Sequence, residues 1–125
     1  MFLKRKARIL LLDDDLSMQK LMSTLLRRAG YRVDVVSAGA QAIEKIGQEE
    51  YHALLLDLMT PTEGGLTVIK HLKKAKPQLL SRVLLVTASP ESVLRSVAGD
   101  VSAVVHKPFE AEELLRAVER VLTAQ

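Results

Sequence analysis

Short, mostly apolar runs alternate along the chain with longer segments in which apolar residues recur every three or four positions. The runs are rich in Leu, Ile and Val and have the length of β-strands. They are residues 8–12, 31–36, 53–56, 83–86 and 103–105. Because most of them are apolar at consecutive positions, we expect strands that are covered on both faces, as in a parallel sheet.

The longer segments predict five helices. Residues 16–29 show the clearest pattern, with apolar side chains on one helical face and Gly30 where a helix-ending glycine is expected. The other segments are residues 38–49, 66–76, 90–98 and 110–123. Strands that alternate with helices predict a three-layer, doubly wound α/β fold. Since no linker or repeat interrupts the pattern, we expect one domain over residues 1–125, with no effector domain in this chain.

The composition of the chain excludes several classes of function. A length of 125 residues suits one domain, and the absence of cysteine excludes disulfides, thiolate zinc sites and a cysteine nucleophile. No apolar run approaches the roughly 20 residues of a membrane span. The 18 basic residues are scattered and only 3% of residues are aromatic, so we expect no direct nucleic-acid binding. This composition is compatible with a cytoplasmic location.

Polar residues stand at the ends of four predicted strands. Asp13 and Asp14 follow the first strand, Asp57 the third, Thr87 the fourth and Lys107 the fifth. In a doubly wound sheet, ligands bind outside the carboxyl ends of the strands. We therefore expect these side chains to converge on one rim of the sheet.

The charges on this rim call for a cation. Two carboxylates about 5 Å apart repel by roughly 3 kcal/mol at an effective dielectric constant near 20. Oxygen ligands without His or Cys favour Mg²⁺. A magnesium ion, a lysine and a hydroxyl around Asp57 would stabilise a transferring phosphoryl group, with Asp57 as nucleophile. Asp15 precedes the predicted first helix and is expected to be its N-cap.

Four motifs and a spaced glycine, Gly65, occur in an order that identifies a family. The motifs are Leu-Leu-Asp-Asp-Asp (11–15), Leu-Leu-Leu-Asp-Leu-Met-Thr-Pro (54–61), Val-Thr-Ala (86–88) and Lys-Pro-Phe (107–109). This order resembles the receiver domain of two-component response regulators, over residues 9–122. The resemblance implies a flavodoxin-like, five-stranded parallel sheet with strand order 2-1-3-4-5.

The resemblance also implies roles for the rim residues. Asp57 would be the phosphoacceptor, taking its phosphoryl group from a phosphohistidine of a histidine kinase or phosphotransfer protein. Thr87 and Lys107 would each contact a phosphoryl oxygen, and the Lys107–Pro108 bond is often cis in the family. The implied Mg²⁺ ligands are Asp13, Asp14, Asp57 and the backbone carbonyl of Met59.

Phosphorylation would reshape the face formed by the fourth helix, fifth strand and fifth helix. The implied partners are a downstream protein or a fused effector domain, and a homodimer through this face stays open. Such a domain catalyses only its own phosphorylation and dephosphorylation and is not a turnover enzyme. We expect it to act in the cytoplasm without binding a membrane.

Three positions depart from the family pattern. Thr60 replaces a common methionine, which leaves the chemistry unaffected. Val104 replaces the aromatic residue whose rotamer usually follows the threonine, so output must travel by movement of the loop and the fourth helix, or be weak. Met59 and Ser89 flank the expected phosphoryl group, and we hypothesise that the apolar Met59 orients no attacking water and gives a long-lived acyl phosphate.

Two other functions fit parts of the sequence. Residues 13–17 match the Asp-x-Asp-x-Ser pattern of haloacid-dehalogenase-like phosphohydrolases, in which Asp13 would be the nucleophile. However, the fourth strand lacks the acidic pair of those enzymes, and 125 residues leave little room for their cap. The other alternative is an interaction module that keeps the fold without phosphorylation, and Val104 keeps this alternative open.

Overall fold

The computed structural model describes residues 7–58 and 64–125. Its strands are β1 (Arg8–Leu12), β2 (Arg32–Val36), β3 (Ala53–Leu56), β4 (Val83–Thr87) and β5 (Ala103–His106). Its α-helices are α1 (Leu16–Arg28), α2 (Gly39–Gln48), α3 (Gly65–Ala75), α4 (Glu91–Arg95) and α5 (Ala111–Thr123). Short 3₁₀ helices cover Pro77–Arg82 and Ala98–Asp100. In these described ranges, no helix has the length and apolar character needed to cross a membrane.

The five strands form one parallel sheet in the order β2-β1-β3-β4-β5, which confirms the expected topology. Leu10 in the middle of β1 pairs with Asp34 of β2 on one side and Leu54 of β3 on the other. The connections change direction at β1, so a crevice opens at the carboxyl ends of β1 and β3. This crevice is where the rim residues were expected to meet.

Both faces of the sheet are buried, as the consecutive apolar positions predict. Ile9 and Leu11 belong to a core that contains residues of α1 and α5. Their neighbours Leu10 and Leu12 point the other way, into a core with residues of α2 and α3. Adjacent residues of one strand therefore belong to different cores, because successive side chains of a strand alternate between faces.

The predicted fourth helix is too long. The sequence predicts it over residues 90–98, and Ser89 before Pro90 is typical of an N-cap followed by the first helical residue. The structure has only Glu91–Arg95 in α-helix, with Pro90 in extended conformation at the N-cap position. The hydroxyl of Ser89 lies 2.8 Å from that of Thr87 and does not cap the helix. The contact with Thr87 explains why Ser89 does not cap the helix. At the other end, the Ser96 hydroxyl donates to the Val93 carbonyl at 2.7 Å, a local hydrogen bond of the kind that competes with helix continuation.

A polar cluster near the amino-terminal end of β1 joins β1, β2 and the residues that precede β3. The Tyr51 hydroxyl donates a hydrogen bond to Asp34 (2.6 Å), and Arg8 forms ion pairs with Asp34 and Glu49. Tyr51 is buried, and its burial together with the Asp34 hydrogen bond raises the pKa of the phenol well above its ordinary value. This cluster links β1, β2 and the residue Tyr51, which precedes β3.

Candidate functional site at the carboxyl edge of the sheet

The carboxyl ends of four strands position the side chains that were predicted to meet on the rim of the sheet. Asp13 directly follows β1 and Asp57 directly follows β3, while Thr87 is the last residue of β4 and Lys107 directly follows β5. Backbone hydrogen bonds fix these ends to one another: the Asp57 amide donates to the Leu12 carbonyl (3.1 Å) and the Lys107 amide to the Thr87 carbonyl (3.0 Å). The four side chains therefore leave the sheet at the same level.

Lys107 links two of the carboxylates. Its ammonium donates a hydrogen bond to Asp13 Oδ2 at 2.6 Å and another to Asp57 Oδ2 at 3.1 Å. Burial by itself lowers the pKa of Lys107, but the hydrogen bonds and negative charges of Asp13 and Asp57 outweigh it and raise that pKa above its ordinary value. Lys107 therefore stays positively charged and compensates part of the negative charge of the site. The Lys107–Pro108 peptide bond is cis.

The other oxygen of Asp57 is held by Thr87. The buried Thr87 hydroxyl donates to Asp57 Oδ1 at 2.8 Å, and it accepts a hydrogen bond from the Ser89 amide at 3.2 Å. Since the single hydroxyl hydrogen of Thr87 is used by Asp57, the contact between the two hydroxyls has Ser89 as donor. The structure thus assigns Ser89 a role in orienting Thr87 that its place before a proline did not indicate.

Three carboxylates form a cluster that fits a divalent cation. Asp13, Asp14 and Asp57 each have an oxygen within 4.8 Å of the others. At that separation, two such charges repel by about 3.5 kcal/mol at an effective dielectric constant near 20, and Lys107 supplies only one positive charge. Hard oxygen donors are what Mg²⁺ requires. Met59, the fourth expected ligand, lies outside the described residues, as does Thr60.

The start of α3 approaches the backbone of Asp57. The Gly65 amide donates to the Asp57 carbonyl at 2.8 Å. A Cβ atom on Gly65 would lie 2.7 Å from that carbonyl oxygen, closer than real side chains approach. Only glycine fits here. Gly65 therefore lets the start of α3 lie against the backbone of Asp57 and fix its position, a role that the sequence alone does not show.

Asp15 has the structural role expected of it. Its Oδ1 accepts hydrogen bonds from the amides of Ser17 (2.9 Å) and Met18 (3.2 Å), which caps α1. Its own amide donates to Asp13 Oδ1 at 2.9 Å. The side chain of Asp15 thus points away from the cluster, while its backbone helps to position Asp13.

Known proteins resemble the chain in sequence and in fold. The model of the response regulator receiver domain matches residues 9–119. A CpxR-homologous transcriptional regulatory protein of Haemophilus influenzae is 31% identical over 118 residues, which are 93% of this chain and 50% of the relative. The chain thus spans about half the length of such curated relatives.

Solved structures of known proteins also resemble this chain in fold. The receiver domain of sensor histidine kinase PA1611 of Pseudomonas aeruginosa, with a magnesium ion in its active-site cleft, has a TM-score of 0.84 at 26% identity, covering 94% of this chain and 98% of that one. The response regulator TrrA of Thermotoga maritima, in complex with Mg²⁺ and BeF, has a TM-score of 0.81 at 29% identity, covering 93% and 99%.

Proposed function

This chain belongs to the family of response regulator receiver domains, the signalling domains of two-component systems, and we propose that Asp57 is its phosphoacceptor. One observation carries the assignment: Asp57 accepts a hydrogen bond from Thr87 on one oxygen and from Lys107 on the other. The Asp57 side chain is also 12% exposed, compared with 2% for Asp13. Of the two buried carboxylates, Asp13 and Asp57, Asp57 is thus the more accessible.

The proposed donor is a phosphohistidine of a histidine kinase or phosphotransfer protein. A carboxylate oxygen of Asp57 attacks phosphorus, the new P–O bond forms, and the P–N bond breaks with its electron pair staying on the imidazole nitrogen. Lys107 and Thr87 already donate to Asp57, so they are placed to donate to phosphoryl oxygens. In this proposal they compensate the negative charge that the phosphoryl group brings.

The Mg²⁺ requirement follows from the same charges. Asp13, Asp14 and Asp57 are the proposed side-chain ligands, joined by the carbonyl of Met59. A bound Mg²⁺ would supply the positive charge that three carboxylates and a phosphoryl group need at close range. The support for this assignment is the acidic cluster, together with the magnesium in the cleft of the similar PA1611 domain.

The output of the domain is part of the proposal. Phosphorylation would change the face formed by α4, β5 and α5. Through this face, the domain would act on a downstream protein or a fused effector domain. Val104, in β5, packs against the core that contains residues of α2 and α3, and a valine there cannot make the aromatic rotamer change common in the family. We therefore assign the response to movement of the loop after β4 and of α4. We propose a cytoplasmic signalling domain over residues 1–125 that turns over no external substrate.

Incubation with acetyl phosphate and Mg²⁺, followed by mass spectrometry of the modified peptide, tests this function. We expect an acid-labile phosphate on Asp57, absent from Asp57→Asn and present in Asp100→Asn, an aspartate far from the site that serves as the matched control. EDTA should prevent labelling. Phosphate on Asp13, with turnover of a generic phosphoester, would instead establish the phosphohydrolase alternative. A correctly folded protein with no label on any residue would indicate an interaction module.

A further inference from the structure

Gln19, on the first turns of α1, uses both hydrogens of its side-chain amide near the acidic cluster. Its Nε2 donates to the backbone carbonyl of Asp13 at 2.5 Å and to the hydroxyl of Ser37 at 3.0 Å. Ser37 follows β2, and its own amide donates to Gln41 of α2 at 2.9 Å. A chain of polar contacts thus runs from the first residues of α2 to the loop that carries the carboxylates.

The carbonyl that Gln19 holds belongs to the peptide that leads into Asp14. Because a peptide unit is planar and rigid, fixing its oxygen also fixes the direction in which the chain enters Asp14. Asp13 has direct side-chain support from Lys107 and from the Asp15 amide. Asp14 is exposed, and within residues 7–58 and 64–125 no hydrogen bond or ion pair holds its carboxylate. Asp14 therefore depends on its backbone for its place in the cluster.

From this geometry we propose that Gln19 is a positioning residue that holds the Asp14 carboxylate ready for a divalent cation. The inference rests on the metal site of the proposed function and adds a residue to it. Partners of metal ligands outside the coordination shell commonly contribute 10-fold to 100-fold to affinity. Since Gln19 acts on Asp14 through the backbone, we expect the low end of this range, about tenfold.

Binding of Mn²⁺, followed by electron paramagnetic resonance of the free ion in the full chain, tests the proposal without any phosphodonor. Mn²⁺ stands in for Mg²⁺ because it prefers the same oxygen ligands. Gln19→Met removes both donors, and methionine has a similarly high helix propensity. The matched control is Gln48→Met, the same substitution at the exposed end of α2. Ser37→Ala, outside any helix, removes one acceptor and provides a second variant.

The expected result is an approximately tenfold weaker Mn²⁺ affinity for Gln19→Met, a smaller loss for Ser37→Ala and none for Gln48→Met. In an Asp14→Asn background, Gln19→Met should change the Mn²⁺ affinity less than about twofold, because the effects of substitutions at coupled residues do not add. Wild-type affinity in Gln19→Met, or an equal loss in both backgrounds, would overturn the role in placing Asp14. A wild-type chain that binds no Mn²⁺ would refute the metal site itself, and the inference with it.

Discussion

The close approach of Gly65 to Asp57 gives the sharpest prediction for the candidate site. In Gly65→Ala, the new Cβ would lie 2.7 Å from the Asp57 carbonyl oxygen, 3.1 Å from its carbonyl carbon and 3.2 Å from the Leu56 Cβ. Ordinary van der Waals contact begins at 3.4 Å. The two backbones must therefore separate by about 0.7 Å along the shortest contact (3.4 minus 2.7 Å). The two nearest atoms belong to backbone and the third is a Cβ, which moves with its backbone, so no flexible side-chain end can absorb this shift.

Two consequences follow from that displacement. Overpacking of this kind typically lowers the free energy of unfolding by about 1–3 kcal/mol. A shift of Asp57 also loosens its hydrogen bonds to Thr87 and Lys107, which are 2.8 and 3.1 Å long. Since a misplacement of about 1 Å can cost 100-fold in rate, we expect phosphorylation of Gly65→Ala to slow by at least about tenfold.

Gly47→Ala is the matched control for this experiment. A Cβ on Gly47, within α2, meets no atom within 4 Å. Alanine should stabilise that helix by roughly 0.5–1 kcal/mol and leave the phosphorylation rate unchanged. The assays are urea unfolding and the rate of labelling by acetyl phosphate with Mg²⁺. If Gly65→Ala unfolds and reacts like the wild type, the steric argument is wrong.

Three further variants probe the metal, the helix cap and the polar cluster near the amino-terminal end of β1. A Mg²⁺ concentration that saturates the wild type should raise the melting temperature of the wild type more than that of Asp14→Asn, and an equal rise in both would remove Asp14 from the metal site. Asp15→Ala should lower the free energy of urea unfolding by about 1 kcal/mol through loss of the α1 cap, yet still be phosphorylated; a loss of labelling with the fold intact would show a direct role. Because the pKa of Tyr51 is raised in the folded state, its contribution to stability is complete below about pH 10 and is lost as the pH rises towards the folded-state pKa. Thermal unfolding of Tyr51→Phe should show a shallower alkaline decline than the wild type, and identical pH profiles would contradict the assignment.

Much of the fold and of the candidate site could be predicted from local patterns. Apolar runs such as residues 53–56 predict buried strands, and the polar residue after each run stands at the sheet edge that binds ligands. The convergence of Asp13, Asp57, Thr87 and Lys107 follows from parallel strands alone. The strand order was implied by the family resemblance, because periodicity does not determine which strands are neighbours.

Other features depend on contacts between distant residues and have no local pattern. The closeness of Gly65 to Asp57 is a tertiary contact between the start of α3 and the end of β3, and a glycine before a helix is common for other reasons. Ser89 precedes a proline, which favoured a cap, whereas its contact with Thr87 draws it towards the site. That contact accounts for the lost cap of α4, but not for its earlier C-terminal end. Gln19 lies on an ordinary helical position, and only its tertiary contacts distinguish it.

The ammonium of Lys107 and the carboxylate of Asp13 meet across 94 residues of chain. Neither the acidic loop after β1 nor the segment around Asp57 has its counter-charge until β5 has joined the sheet. A nascent chain that stops short of β5 therefore carries all three aspartates but not the ammonium that compensates part of their charge. Competence to receive phosphorus is thereby tied to the completion of folding, and an unfinished chain should give no signal.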